Sequence, residues 1–120
     1  AQLVKHPVPA YALKLTNSQG KVLVYTGDAV GGDGLEDFCR GADLLICDAA
    51  FTRAQWHAEL PHFSAAQAGE LARDAGAKSL MLTHFMPGAD IKAVAALNHS
   101  VMPLAWYPST TDRTNPSSIH

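Results

Sequence analysis

The stretch Lys21 to Asp28, KVLVYTGD, decides how the rest of the chain is read. Its apolar run from Val22 to Tyr25 predicts a buried β-strand. The run stops at Thr26-Gly27 and a carboxylate follows at once. Such a strand aims Asp28 out of the carboxyl edge of a sheet, where α/β proteins place their sites. Two more runs share the design. LLICD, Leu44 to Asp48, ends on an acid, and LMLTH, Leu80 to His84, ends on an imidazole. A lone Gly-Asp is more often a turn than a site. Three strand ends carrying Asp28, Asp48 and His84 in one small chain point instead to a shared edge.

The chain has 120 residues, room for one small domain and not for two. It is 48% hydrophobic and 17% charged, the balance of an α/β core. A net charge of -2 argues against a general nucleic-acid footprint, which is basic, without excluding a local basic patch. No apolar run approaches the ~20 residues of a membrane span. No basic segment precedes an apolar one, so no signal peptide is expected. The first residue is Ala1 rather than Met, as in a fragment, a processed chain or a trimmed one. Cys39 and Cys47 fall in a predicted helix and a predicted buried strand, poor places for a disulfide, which implies a reducing, cytoplasmic setting. No internal repeat of about 20–50 residues is visible.

In chain order, residues 1–9 read as irregular, with two prolines. Ala10 to Thr16 reads as a strand and Asn17 to Gly20 as a turn into KVLVY, giving an antiparallel hairpin. AVGGDG after Asp28 is a glycine-rich loop without the spacing of a P-loop or GxGxxG. Leu35 to Arg40 predicts a short helix ended by Gly41, followed by a strand from Ala42 to Asp48. Residues 49–63 read as loop. Ser64 caps a helix, with Gln67 in the capping-box position and Gly76 closing it. A strand over Ser79 to His84, a turn at Phe85 to Gly88 and a helix from Ala89 or Asp90 to about Leu97 follow. Val101 to Trp106 predicts one last strand, confined to an edge by Pro103. Residues 98–120 form a divergent or disordered tail after a body spanning 1–97, and His99 and His120 in it carry no expected role. Strand alternating with helix from Lys21 onward makes the chain α/β.

Asp28 and His84 are a hard carboxylate and an imidazole, both suited to Zn, Mn or Fe. A catalytic zinc needs about three protein ligands, so two residues do not complete a site. His62 is a third candidate ligand, a proton donor to a leaving group, or a surface loop histidine. His57 reads as solvent-exposed. His6 either lines the site or satisfies a backbone carbonyl. Asp48 is either an orienting partner of a metal-bound histidine or a structural buried acid. No GxSxG and no CxxC is present.

Together HPVPAYALKL, KVLVYTGD, GADLLICDAAF, the His62-Phe63-Ser64 step into AAQAGELARDAGA, and SLMLTHF resemble the C-terminal half of a metallo-β-lactamase-fold hydrolase. The resemblance is to the branch of ribonuclease Z and related phosphodiesterases, and it covers about residues 4–97. It implies half of a four-layer αββα sandwich, one mixed sheet with helices on one face. It implies that Asp28 bridges two metal ions, zinc with manganese or iron as alternatives, and that His84 is a ligand of the second ion. It also implies that His62 is the catalytic residue at the scissile phosphate or leaving group. Asp48 stands where many relatives have Glu, and Asp48 and His6 are expected just behind the ligands.

The family's HxHxDH motif, which supplies most ligands, is absent from these 120 residues, as is the isolated histidine that follows it. The tail after Leu97 also departs from the family pattern. The resemblance therefore implies a metal-dependent phosphodiesterase acting on a phosphodiester or an RNA 3′ end. Its second half would be missing or would come from another chain, leaving this chain inactive alone. The alternative is a non-catalytic α/β module that self-associates, for example as a homodimer, through its uncovered sheet face. A receiver-like phosphoacceptor centred on Asp48 requires a later strand-end lysine, and no such lysine follows.

Overall fold

In the computed structural model, residues 1–52 and 54–90 are described, together with the backbone of 104–106. The predicted helix beyond Asp90, the tail and its histidines lie outside the described residues, save for one strand within the tail. Among the described residues there are six strands and two helices. They are β1 Gln2–Val4, β2 Ala10–Thr16, β3 Val22–Tyr25, α1 Leu35–Cys39, β4 Leu44–Asp48, α2 Ala65–Ala75, β5 Leu80–Thr83 and β6 Leu104–Trp106.

The strands form one mixed sheet in sequence order, β1 to β6. The first three are antiparallel neighbours and the last four are parallel ones. Asn17 makes the β2–β3 turn, its Oδ1 accepting the Gln19 and Lys21 N–H groups. The crossovers from β3 to β4 and from β4 to β5 step the same way along the sheet. A common handedness then puts both helices on one face. Helix α2 packs on β4 and β5, and α1 packs on α2 and β1.

That face holds the core. Ala12, Val24, Leu45, Cys47, Leu80 and Leu82 point inward at even spacing from their strands. They meet Leu35 and Cys39 of α1 and Ala65, Ala68, Ala72 and Ala75 of α2. Each fully buried leucine contributes about 2–3 kcal/mol. The alanines leave no bulk on the α2 face, so the helix lies close over the strands. Burial pushes the Cys39 thiol up to about 11 and the Cys47 thiol well above its ordinary value, with nearby Lys14 only partly offsetting the first and Thr26 the second. Both cysteines are free.

The capping box at Ser64 is present as predicted: Ser64 Oγ accepts the Gln67 N–H, and Gln67 Oε1 accepts the Ser64 N–H. Gly76 closes α2 at φ 67°. Residues 1–9 are not irregular throughout. Gln2–Val4 pair with Ala10–Ala12, a three-residue strand too short to show a period and visible only through its partner. Of the strand expected over 101–106, Leu104–Trp106 is described and lies beside β5; 101–103 lie outside the described residues. Among the described residues no helix is long and apolar enough to cross a membrane.

Asp43 ties the amino ends of the parallel strands. Its carboxylate accepts the Val22 N–H at 2.8 Å and the Lys78 Nζ at 3.0 Å, with Lys21 at 3.7 Å. The Val22 N–H first and Lys78 second hold its carboxyl below the ordinary value of 3.8. A lowered folded value means stability that is present above the ordinary value and lost as pH falls through the lowered one. Urea unfolding at about pH 5 and at about pH 2.5 should thus show a smaller acid loss for Asp43→Asn than for the native chain. Equal losses would remove Asp43 from this role.

Candidate metal and proton-transfer site

Three strand ends and two loops meet at the carboxyl edge of the parallel strands. Asp28 follows β3, Asp48 closes β4 and His84 follows β5, as the sequence reading expected. His62 comes from the loop between β4 and α2, and His6 from the loop between β1 and β2. Gly27 makes the turn that leads to Asp28. It sits at φ 64°, and a Cβ there would lie 3.1 Å from the Tyr11 carbonyl oxygen, so both conformation and space call for glycine.

Asp28, His62 and His84 each offer one ligand atom, and these atoms lie within 4.8 Å of one another. The Asp28 Oδ1 is 3.2 Å from the His84 Nδ1, and the two side chains are 43% and 40% exposed. The His84 ring stacks on the His62 ring at 4.6 Å between centroids. His84 has φ 63°, a left-handed conformation that costs a residue with a Cβ roughly 1 kcal/mol or more. A carboxylate with two imidazoles is a donor set that suits zinc and its neighbours in the first transition row.

Asp48 serves His62. Its Oδ2 lies 2.6 Å from the His62 Nδ1 and also accepts the Ala29 N–H at 3.1 Å. The Oδ1 accepts the Ala50 N–H at 3.2 Å. The carboxylate is only 1% exposed, and burial raises its pKa. The bonds from His62 and the Ala29 N–H oppose that rise. An acceptor at Nδ1 makes that nitrogen the protonated one and leaves Nε2 without the proton. Tyr25, at the end of β3, has its phenol pushed up by burial and then by the charges of Asp28 and Asp48.

His6 stands edge-on to the His62 ring at 5.6 Å, and its Nδ1 accepts the Val8 N–H at 3.5 Å. His57 is exposed, as expected. Two residues that the sequence reading gave no role hold the site. The Trp56 indole N–H donates to the His62 carbonyl at 2.9 Å. The Thr26 Oγ1 accepts the Asp48 N–H and donates to the Gly27 carbonyl, linking two strand ends. A threonine directly before the Gly-Asp turn was the available signal for the second. Nothing local marked the first.

The unequal burial of the two acids predicts unequal effects on folding. Asp48→Ala strands two buried backbone donors and the part-buried His62 Nδ1 and should cost about 3 kcal/mol in urea unfolding. Asp28→Ala, at a half-exposed position, should stay within about 0.5 kcal/mol of the native chain. Similar losses for both would contradict the division of roles drawn here.

Comparison with known proteins agrees with this geometry. Residues 2–85 match the model of the β-lactamase superfamily domain. An uncharacterized protein of Mycobacterium leprae is 38% identical over 86 residues, which are 72% of this chain and 30% of that protein. YhfI of Bacillus subtilis, named a probable metallo-hydrolase, is 39% identical over 79 residues, 66% of this chain and 32% of YhfI. The YhfI crystal structure, a metallo-β-lactamase-fold protein, superposes with a TM-score of 0.79 at 28% identity, covering 87% of this chain and 44% of that one. The short form of human tRNase Z superposes at 0.67 and 29% identity, covering 86% and 38%. The chain thus spans about a third of the length of the curated relatives it matches. With the domain model matching more than half of its residues, the chain belongs to the β-lactamase superfamily and has the metallo-β-lactamase fold of its ribonuclease Z-like members.

Proposed function

We propose that this chain is the C-terminal part, residues 1–97 with a separate segment 98–120, of a cytoplasmic metal-dependent phosphodiesterase of ribonuclease Z-like type. The observation that carries the reading is the convergence of Asp28, His62 and His84 within 4.8 Å at one sheet edge. The likeness to human tRNase Z supports a phosphodiester substrate, an RNA 3′ end included. Asp28 and His84 would hold zinc, with manganese or iron as alternatives, and the remaining ligands of a two-ion centre would come from an HxHxDH segment outside these 120 residues or from another chain. A bound divalent ion supplies Lewis acidity toward a phosphate oxygen.

The chain's own groups then divide the remaining work. Asp28 offers negative charge to the cations. His62, with its Nδ1 committed to Asp48, hands a proton from Nε2 to the leaving oxygen. Asp48 fixes the ring. Alone, the chain lacks most ligands of such a centre and is inactive.

The sheet face away from the helices favours a second reading. Leu3, Tyr11, Leu13 and Leu15 lie on it or at its edge and are 48% to 63% exposed. An apolar face of this kind marks an interface. On this reading the chain pairs through it with a second copy and has no catalysis of its own.

In the complete protein, His62→Ala should lower kcat for diester hydrolysis by roughly 10²–10⁴-fold. Asp28→Ala should abolish metal-dependent turnover, and retained turnover there sinks the first reading. Sedimentation of the 120-residue chain decides the second, which expects a dimer; a well-folded monomer counts against it.

A further inference from the structure

The peptide unit that follows His62 is held at both of its polar groups. Its N–H, on Phe63, donates to the Ala29 carbonyl at 2.8 Å. Its carbonyl, on His62, accepts the Trp56 indole N–H at 2.9 Å. A peptide unit is planar, so bonds on its two opposite sides fix its orientation and with it the ψ angle of His62. The imidazole leaves from the same Cα, and its direction follows.

The Ala29 bond belongs to a closed ring of contacts. The Ala29 N–H donates to Asp48 Oδ2 at 3.1 Å, and the same oxygen lies 2.6 Å from the His62 Nδ1. His62 is thus tied to β4 and to the turn after β3. The tie from Trp56 comes from the loop itself, six residues earlier. Among these ties it alone is made by a side chain outside the Asp48–His62 pair.

Trp56 is in turn placed by its own surroundings. The Gln55 and Trp56 N–H groups both donate to the Thr52 carbonyl at 3.1 Å, and Gln55 Oε1 accepts the Thr52 N–H at 3.1 Å. Just before this turn, Phe51 bridges to Ser64, and its carbonyl accepts the Ala65 N–H at 2.9 Å. The outgoing leg of the loop is therefore fastened to the start of α2, and the indole crosses from it to the returning leg. Between them the Leu60 N–H donates to the His57 carbonyl at 3.1 Å. A strut anchored at both ends stands in place before any ligand arrives.

We infer that Trp56 is a positioning residue for His62: its indole N–H sets the backbone from which the imidazole meets Asp48. The part that concerns turnover rests on the phosphodiesterase reading, and the part that concerns the His62–Asp48 contact does not. Proton transfer falls off with small misplacement, so loss of the strut is felt in the chemical step and not in substrate binding.

The test compares the native chain with Trp56→Phe, which keeps an aromatic ring without the donor, and Trp56→Ala, which removes both. Proton NMR of the 120-residue chain without added metal follows the His62 Nδ1 proton and the Trp56 indole proton. In the native chain the indole proton should exchange with solvent roughly tenfold or more slower than in free tryptophan. In Trp56→Phe the His62 Nδ1 proton should exchange about tenfold faster, close to its rate in Trp56→Ala, as loss of one hydrogen bond does. The amides of β4 and α2 should stay where they are. In the complete protein Trp56→Phe should lower kcat for diester hydrolysis about tenfold and leave KM within about twofold. A complete native protein without diester hydrolysis removes the phosphodiesterase reading, and the exchange rates then decide the inference alone. A native indole proton that exchanges at the free rate overturns it without any variant. A Phe variant whose His62 proton behaves as in the native chain, with Ala alone disturbing it, also overturns it, because packing is then the whole role. So does a Phe variant that raises KM and leaves kcat unchanged.

Discussion

The site depends on one buried charge. Asp48 closes β4 among apolar strands, and an ionised carboxylate there is costly unless its lone pairs are filled. Three donors fill them, from Ala29, Ala50 and His62. They belong to the turn after β3, the chain after β4 and the loop before α2. Satisfying one acid therefore draws three separate segments to the same edge. The bond from His62 that helps Asp48 remain ionised is also the bond that fixes the imidazole, so folding and chemistry draw on the same contact.

The strand ends and the capped helix were legible because each is a local pattern. A short apolar run, a Gly-Asp turn and Ser64 with Gln67 three residues on are readable without knowing the fold. The pairings were not legible to the same degree. Asp48 was open between orienting a metal-bound histidine and a purely structural role; its partner is His62, 14 residues on, inside an irregular loop. The Trp56 bond to the His62 carbonyl and the left-handed backbone of His84 follow from three-dimensional closure and leave no periodic trace. Strand β1 escaped for a related reason: three residues carry no period, and its pairing comes from β2.

The two sheet faces are unlike in what they meet. One is closed by α1 and an alanine-lined α2, with Leu45, Leu80 and Leu82 fully buried. The other presents Leu13 and Leu15 of β2 to solvent, although an exposed face in a two-layer domain is expected to alternate toward polar residues. The candidate site has the same one-sided character: a carboxylate and imidazoles reach the edge, and no HxHxDH is present among these 120 residues. Both features fit a chain that makes one side of a larger layered structure, and each comes from a different physical property, apolar burial and metal coordination.

The groups at the edge are not equally fixed. His62 is 16% exposed and held at Nδ1 by Asp48, at its carbonyl by Trp56, and by a loop bridged at its ends through Phe51 and Ser64. Asp28 and His84 are half exposed and meet through one 3.2 Å contact. A proton donor must be positioned before the substrate arrives, because its contribution falls with misplacement. Metal ligands can be drawn into place by the ion they bind, since binding and ordering are coupled. The fold of this chain is thus sufficient to hold His62 in place. Asp28 and the strained His84 are held more loosely at the exposed edge.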